Sequence, residues 1–185
     1  MSARRLQLLP ALAIALIAIG AVAWAAEREE GGAPPRGVAT ESWGSLRPSP
    51  LRRTEVGAAR VGDRIFVVGG FVPAGGATRS VARYDISDNS WSQVRPLPIA
   101  VHHPGVTALG GKVYVHGGVR TGDAATNGPT SRLYAYDPAR KRWKRLHSGR
   151  VPRFAQAFEP IAGKLYAAGG ANDGGDLRSV EVYDP

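Results

Sequence analysis

A chain of 185 residues with 43% apolar residues, 24 glycines and no cysteine has the composition of one globular domain with appendages. The lack of cysteine excludes disulfides, thiolate metal ligands and a cysteine nucleophile. The formal net charge of +9 indicates a generally basic surface rather than a dedicated anion site, because charge alone predicts solubility and non-specific binding. We therefore expect no nucleic-acid partner.

Residues 1–26 have the pattern of an export segment. Two arginines precede an apolar run at residues 6–26, which ends in small residues. This order is typical of a cleaved signal peptide, and the run is also long enough for an N-terminal membrane anchor. Both alternatives predict an exported protein that is periplasmic, extracellular or anchored to the outer face of the cytoplasmic membrane. The charged and Gly/Pro-rich residues 27–42 predict a flexible linker.

The remaining chain contains three copies of one unit. The stretches RIFVVGG, KVYVHGG and KLYAAGG begin at residues 64, 112 and 164, and each is followed by a Tyr-Asp pair. Markers that recur with a period near 50 residues indicate a repeat protein. The repeated positions are Gly69, Gly70, Gly117, Gly118, Gly169 and Gly170, then Tyr84, Tyr136 and Tyr183, and finally Trp91 and Trp143.

Each unit predicts four short strands. Runs of β-branched and aromatic residues are separated by Gly-rich turns, and a meander of four such strands forms one blade of a β-propeller. The predicted blades extend over residues 43–185. They comprise residues 43–50 as the fourth strand of a closing blade, 51–98 as repeat 1, 99–150 as repeat 2, and 151–185 as repeat 3, which lacks its tryptophan strand.

The order of an apolar run, Gly-Gly, Tyr-Asp and tryptophan resembles the kelch repeat, and the chain resembles a secreted, bacterial-type kelch protein. The resemblance covers residues 43–185. It implies an all-β fold, a kelch-type β-propeller of about three four-stranded blades that is partial or open, after an N-terminal apolar helix.

Three blades are fewer than the four to eight of closed propellers. We expect the chain to be a fragment of a longer propeller. One alternative is a homodimer, in which two chains exchange residues 43–50 and complete a six-bladed ring with two-fold symmetry. Another is an open three-blade array.

The loops after the second and fourth strands are the long ones, which predicts a ligand on that face. Its arginines would suit the carboxylate or sulfate groups of an anionic protein or glycan partner. The candidate ligand-binding residues are Arg79, His102, His103, Arg120, Asp123, Arg150, Arg153 and Asn172.

No catalytic residue, metal or cofactor is predicted. His102 and His103 are adjacent, so their side chains should diverge on an extended strand and not share a metal ion. Neither a nucleophile elbow nor a phosphate-binding loop occurs in the sequence. We therefore expect a non-catalytic module that binds a protein or glycan.

The alternative is part of a secreted carbohydrate-active enzyme, because galactose oxidase and sialic acid epimerase have similar propellers. The copper chemistry of the oxidase needs a cysteine crosslinked to tyrosine, which this chain lacks.

Overall fold

Short antiparallel strands form the regular structure of the protein. The computed structural model describes residues 42–122 and 127–185, so the predicted apolar helix, the anchor and most of the linker lie outside the described residues. Within these two ranges no helix has the length and apolar character needed to cross a bilayer. In chain order the strands are β1 (Gly57–Val61), β2 (Arg64–Val68), β3 (Val81–Asp85), β4 (Ser90–Gln93), β5 (Val101–His102), β6 (Gly105–Leu109), β7 (Lys112–His116), β8 (Val119–Arg120), β9 (Gly128–Pro129), β10 (Leu133–Asp137), β11 (Arg142–Arg145), β12 (Ala157–Ile161), β13 (Lys164–Ala168), β14 (Ala171–Asn172), β15 (Gly175–Asp176) and β16 (Val180–Tyr183).

Three antiparallel meanders make up the blades. Among the described residues, blade 1 has the strand order β1-β2-β3-β4, blade 2 has β6-β7-β10-β11, and blade 3 has the three strands β12-β13-β16. Their second strands are rich in β-branched and aromatic residues, which fit a pleated and half-buried surface. The prediction of an all-β fold built from four-stranded repeats is confirmed for the described part of the chain.

The first strand of each blade lies innermost. β1 contacts β6, and β6 contacts β12, whereas the tryptophan strands β4 and β11 form the outer edges. One apolar cluster fills the space between blades 1 and 2, where the rings of Phe66 and Tyr136 lie 5.9 Å apart. A second cluster, which includes Tyr114, Phe158 and Leu165, joins blades 2 and 3. Burial of these side chains holds the blades together.

The Gly-Gly pairs allow the chain to leave the second strand beside another backbone segment. Gly70 has a φ of 103°, and a Cβ atom there would lie 2.6 Å from the carbonyl oxygen of Thr54. Gly118 has a φ of 92°, and its Cβ would lie 2.9 Å from the carbonyl oxygen of His102. Any side chain at these positions would cause both backbone strain and a clash.

The repeated tryptophans link each blade to the preceding one. Trp143 packs on Tyr136 at 4.9 Å, and its Nε1 donates a hydrogen bond to the carbonyl oxygen of Arg95 at 2.9 Å. Trp91 makes the equivalent bond to the carbonyl oxygen of Arg47 at 2.8 Å. Arg47 therefore contacts blade 1 in the way that Arg95, at the end of blade 1, contacts blade 2.

Residues 43–50 differ from the prediction in one respect. They were expected to form a fourth strand, but residues 42–49 form no regular structure and Trp43 is fully exposed. A fourth strand needs a third strand as its hydrogen-bonding neighbour. The described residues provide none beside this segment.

Replacing Trp143 by phenylalanine should lower the free energy of unfolding by about 1–2 kcal/mol, because a hydrogen bond and part of the buried ring are lost. Urea unfolding followed by circular dichroism measures the change. The exposed Trp43 provides the control, and its replacement by phenylalanine should change stability by less than about 0.5 kcal/mol. Equal losses in the two variants would contradict this role of Trp143.

Candidate functional site

One face of the propeller carries a second layer of short pairings, which we call the loop layer. It consists of the segments that follow the second and fourth strands. In blade 2, β5 pairs with β8 and β8 pairs with β9. The equivalent pairs are Thr54 with Phe71 in blade 1 and Phe154 with Ala171 in blade 3. The residue that leads into each first strand is thus held in the same place in every blade.

The next residue of each blade has a left-handed backbone. The φ angles of Glu55, His103 and Ala155 are 58°, 51° and 53°. The His103 N–H donates to the Glu55 carbonyl oxygen at 2.8 Å, and the Ala155 N–H donates to the His103 carbonyl oxygen at 3.0 Å. These bonds connect successive blades beside their innermost strands. We call these three residues the inner ring.

Two residues of the inner ring, Glu55 and His103, place potential ligand atoms beside a third on the adjacent His102. The Nδ1 atoms of His102 and His103 lie 2.8 Å apart, and Glu55 Oε2 lies 2.9 Å from the first and 3.3 Å from the second. The prediction that the two histidine side chains diverge is therefore wrong. His103 is left-handed, so the alternation of side chains along an extended strand stops at this residue.

The histidines are partly shielded by aromatic rings. Phe71 meets the His102 ring edge-on at 5.4 Å, and Phe154 lies 5.9 Å from the His103 ring. The side chain of His102 is 15% exposed and that of His103 is 36% exposed. Burial lowers the pKa of His102, and the nearby Glu55 carboxylate opposes this shift only in part. His102 is therefore mainly neutral at pH 7.

Arg153 lies inside the molecule rather than on the ligand-facing surface where it was expected. Its side chain is 0% exposed, and Nη1 donates to the carbonyl oxygens of Gly169 and Ser179. Nη2 lies 2.9 Å from the Glu181 carboxylate. Arg53 of blade 1 binds the equivalent carbonyl oxygens of Gly69 and Ser80. Arg153 thus stabilises its blade.

The other described residues of the predicted site lie in the loop layer, and Arg120 is paired with Val101, the residue before His102. Arg79 is exposed and donates from Nε to the carbonyl oxygen of Leu97 at 2.8 Å. Arg150 is exposed, and Arg120 lies in β8. Asn172 shapes its own hairpin by accepting a hydrogen bond from the Gly174 N–H at 2.8 Å. Asp123 lies outside the described residues.

Comparison with known proteins places the fold in a family. The family model described as the attractin/LZTR1 β-propeller matches residues 37–181. The chain belongs to this kelch-type β-propeller family. The repeated Gly-Gly, Tyr-Asp and tryptophan positions are therefore features of kelch blades.

Individual relatives match shorter parts of the chain. Kelch-like protein 26 of Mus musculus is 42% identical over 66 residues, which are 36% of this chain and 10% of the relative. The F-box/kelch-repeat protein At1g16250 of Arabidopsis thaliana is 41% identical over 58 residues, 30% of this chain and 15% of the relative. Kelch-like protein 36 of Rattus norvegicus is 40% identical over 63 residues, 34% of this chain and 10% of the relative.

A paired change between kelch repeats opens a cleft that sequence reasoning missed. Val68 and Leu97 are fully buried in the cluster between blades 1 and 2. One repeat later, His116 and Gly149 occupy these positions, and a Cβ atom on Gly149 would lie 2.9 Å from His116 Nε2. The cleft, of about 260 Å³, is also lined by Glu181 and Arg150. Alignment of the repeats, with glycine in the place of a core leucine, would have revealed it.

Burial keeps His116 neutral. Its exposed fraction is 4%, and desolvation, reinforced by the positive charge of Arg153, lowers its pKa to about 4 even though Glu181 acts in the opposite direction. A neutral imidazole can accept a hydrogen bond without the cost of burying a charge. His116 therefore acts as a packing residue with one polar edge on the cleft.

Proposed function

We propose that this kelch-type propeller is a non-catalytic binding module and that its loop layer binds an acidic segment of a partner protein. The observation that supports this most is the concentration of exposed arginines in the loops after the second strands and in the segments before the first strands. These are Arg52, Arg79, Arg150 and Arg178. Guanidinium groups bind carboxylates in a two-pronged geometry, and loops held by a rigid scaffold are the usual place for recognition.

The organisation of the inner ring also supports binding rather than chemistry. Its blade-to-blade bonds use backbone atoms, so the side chains at these three positions are not needed for those bonds. An anionic glycan presents similar sulfate or carboxylate groups, and the test below includes it as a separate probe.

Reversing the charge of Arg79 and Arg150 together, as Arg79→Glu with Arg150→Glu, should weaken binding to acidic peptides on an array by roughly 10-fold or more, since each charged contact contributes about 1 kcal/mol or more. Heparin is the glycan probe, measured at two salt concentrations because screening weakens non-specific attraction. An assay for sugar turnover tests the carbohydrate-active enzyme alternative.

The matched control changes net charge equally on the outer edge. Arg142 and Lys144 lie on β11 and are exposed, so Arg142→Glu with Lys144→Glu should leave peptide binding nearly unchanged. If both double variants weaken binding equally, the attraction is non-specific and the proposal fails. Preference for heparin over every peptide would favour a glycan ligand, and turnover of a sugar would overturn the non-catalytic assignment.

Export and self-association are narrower proposals. The arginines and apolar run of residues 1–26 support export. For self-association, the exposed Val180 and Val182 of β16, which is the edge strand of blade 3 among the described residues, support pairing with residues 43–50 of a second copy. Cell fractionation and light scattering measure these two properties; recovery in the cytoplasm or a monomer at all concentrations would refute the respective proposal.

A further inference from the structure

We propose that Glu55, His102 and His103 form a binding site for a divalent transition-metal ion of the Zn²⁺ type. The three potential ligand atoms come from two blades and lie 2.8, 2.9 and 3.3 Å from one another. Two imidazole nitrogens and one carboxylate oxygen are typical ligands of zinc and of other first-row metals.

With an ionised Glu55 carboxylate, hydrogens on the two imidazoles cannot satisfy these three contacts together. If both Nδ1 atoms carry hydrogen, each can donate to the carboxylate, but two donors then face each other at 2.8 Å. If only one Nδ1 carries a hydrogen, the other Nδ1 directs its lone pair at the carboxylate oxygen, and no hydrogen lies between these two atoms. With none, three lone pairs converge. A cation at the centre makes all three contacts favourable.

The distances suit metal coordination. Ligands about 2.0–2.1 Å from zinc are about 2.9 Å apart at right angles and about 3.3 Å apart at tetrahedral angles, and the observed separations span this range. An ion at that distance from all three atoms would stand about 1 Å out of their plane. With three protein ligands, zinc takes a further ligand such as water or a carboxylate.

The scaffold holds the ligands before any ion arrives. His102 is paired with Val119 in the β5–β8 sheet, and the His103 N–H donates to the Glu55 carbonyl oxygen. The rings of Phe71 and Phe154 flank the two imidazoles. Because few side-chain rotations are lost on binding, such a prearranged site should bind more tightly than the same ligands on flexible loops.

The kelch repeat supplies variants that the fold already accepts. Ala155 occupies the position of His103 in blade 3, with a φ of 53° against 51°, and Thr54 occupies the position of His102 in blade 1. His103→Ala and His102→Thr should therefore fold. Glu55→Gln keeps the size of the side chain and removes its charge. His147→Ala, at an exposed histidine outside the cluster, is the matched control.

The test is isothermal titration of chelator-treated full-length protein with Zn²⁺, supported by the absorption spectrum of the Co²⁺ form. We expect one high-affinity ion per chain and a Co²⁺ spectrum typical of nitrogen and oxygen ligands. His103→Ala and His102→Thr should weaken binding by more than the roughly 10- to 100-fold that loss of a supporting contact costs, and Glu55→Gln by at least about 10-fold.

Binding in His147→Ala should equal that of the unchanged protein. Circular dichroism and the thermal midpoint of each metal-free variant show whether it is folded. The proposal is overturned if the folded protein binds no Zn²⁺ in a one-to-one ratio. It is equally overturned if His103→Ala and Glu55→Gln retain full affinity, since the ion would then lie elsewhere.

Discussion

Arg153→Ala should lower the free energy of unfolding by about 3–5 kcal/mol, the usual cost of removing one partner from a buried ion pair. The guanidinium is 0% exposed and holds the carbonyl oxygens of Gly169 and Ser179 as well as the carboxylate of Glu181. Burial alone would raise the pKa of Glu181, but hydrogen bonds from the Arg150 N–H and from Arg153 outweigh it and lower that pKa. The pair is therefore charged at neutral pH, and alanine would leave Glu181 without its counter-ion.

Urea unfolding at pH 7 measures the loss. Arg150→Ala is the matched control, because this nearby arginine is exposed and uses its backbone N–H, which alanine retains, to bind Glu181. Its effect should stay within about 0.5 kcal/mol. A loss below about 1 kcal/mol for Arg153→Ala would show that water replaces the guanidinium and that the ion pair does not stabilise blade 3.

The stability of the protein should also fall as the pH drops from 7.5 to 4, because of His116. Its pKa is about 4 in the folded state and about 6.5 in an unfolded chain. Below pH 6.5 the unfolded state binds a proton at His116 that the folded state does not bind. The contribution of the neutral His116 to the free energy of unfolding is therefore complete above pH 6.5 and is lost toward pH 4. The loss is about 2 kcal/mol at pH 5 and about 3 kcal/mol at pH 4.

His116→Val separates this effect from other titrations, since valine occupies the equivalent position 68 in blade 1. Thermal or urea unfolding at pH 7.5 and pH 5 should show a smaller pH dependence in the variant by about 2 kcal/mol. The low pKa of Glu181 adds a loss of stability in more acidic solutions, and both proteins share that loss. Parallel pH profiles would rule out His116 as the responsible group.

The repeat pattern predicted the fold because each blade marker has a direct physical cause. The second glycine of each pair lies against a neighbouring carbonyl oxygen, as Gly70 does against Thr54. The tryptophans bind the preceding blade through the indole N–H, as Trp143 does through Arg95. The glycine requirement recurs in all three blades and the tryptophan contact in the two four-stranded blades, so both are visible as a period in one sequence.

The candidate site was harder to predict because it depends on differences between blades. The left-handed backbone of His103 is not marked by a glycine in the sequence. An extended strand was therefore assumed, and on such a strand the two adjacent histidine side chains diverge. Arg153 was assigned to the surface because loops usually carry function, although Arg53 at the equivalent position indicated a role in the blade. Aligning the three repeats column by column would have shown this second error, but not the first.

The inner ring has an evolutionary consequence. Its bonds join backbone atoms of Glu55, His103 and Ala155, and three unrelated side chains occupy the same backbone geometry. A point mutation at any of these positions can therefore alter what the propeller displays near its axis while the architecture persists. A paralogue could gain or lose a ligand there in a single step, which makes this rim a favourable place for specificity to diverge among duplicated copies.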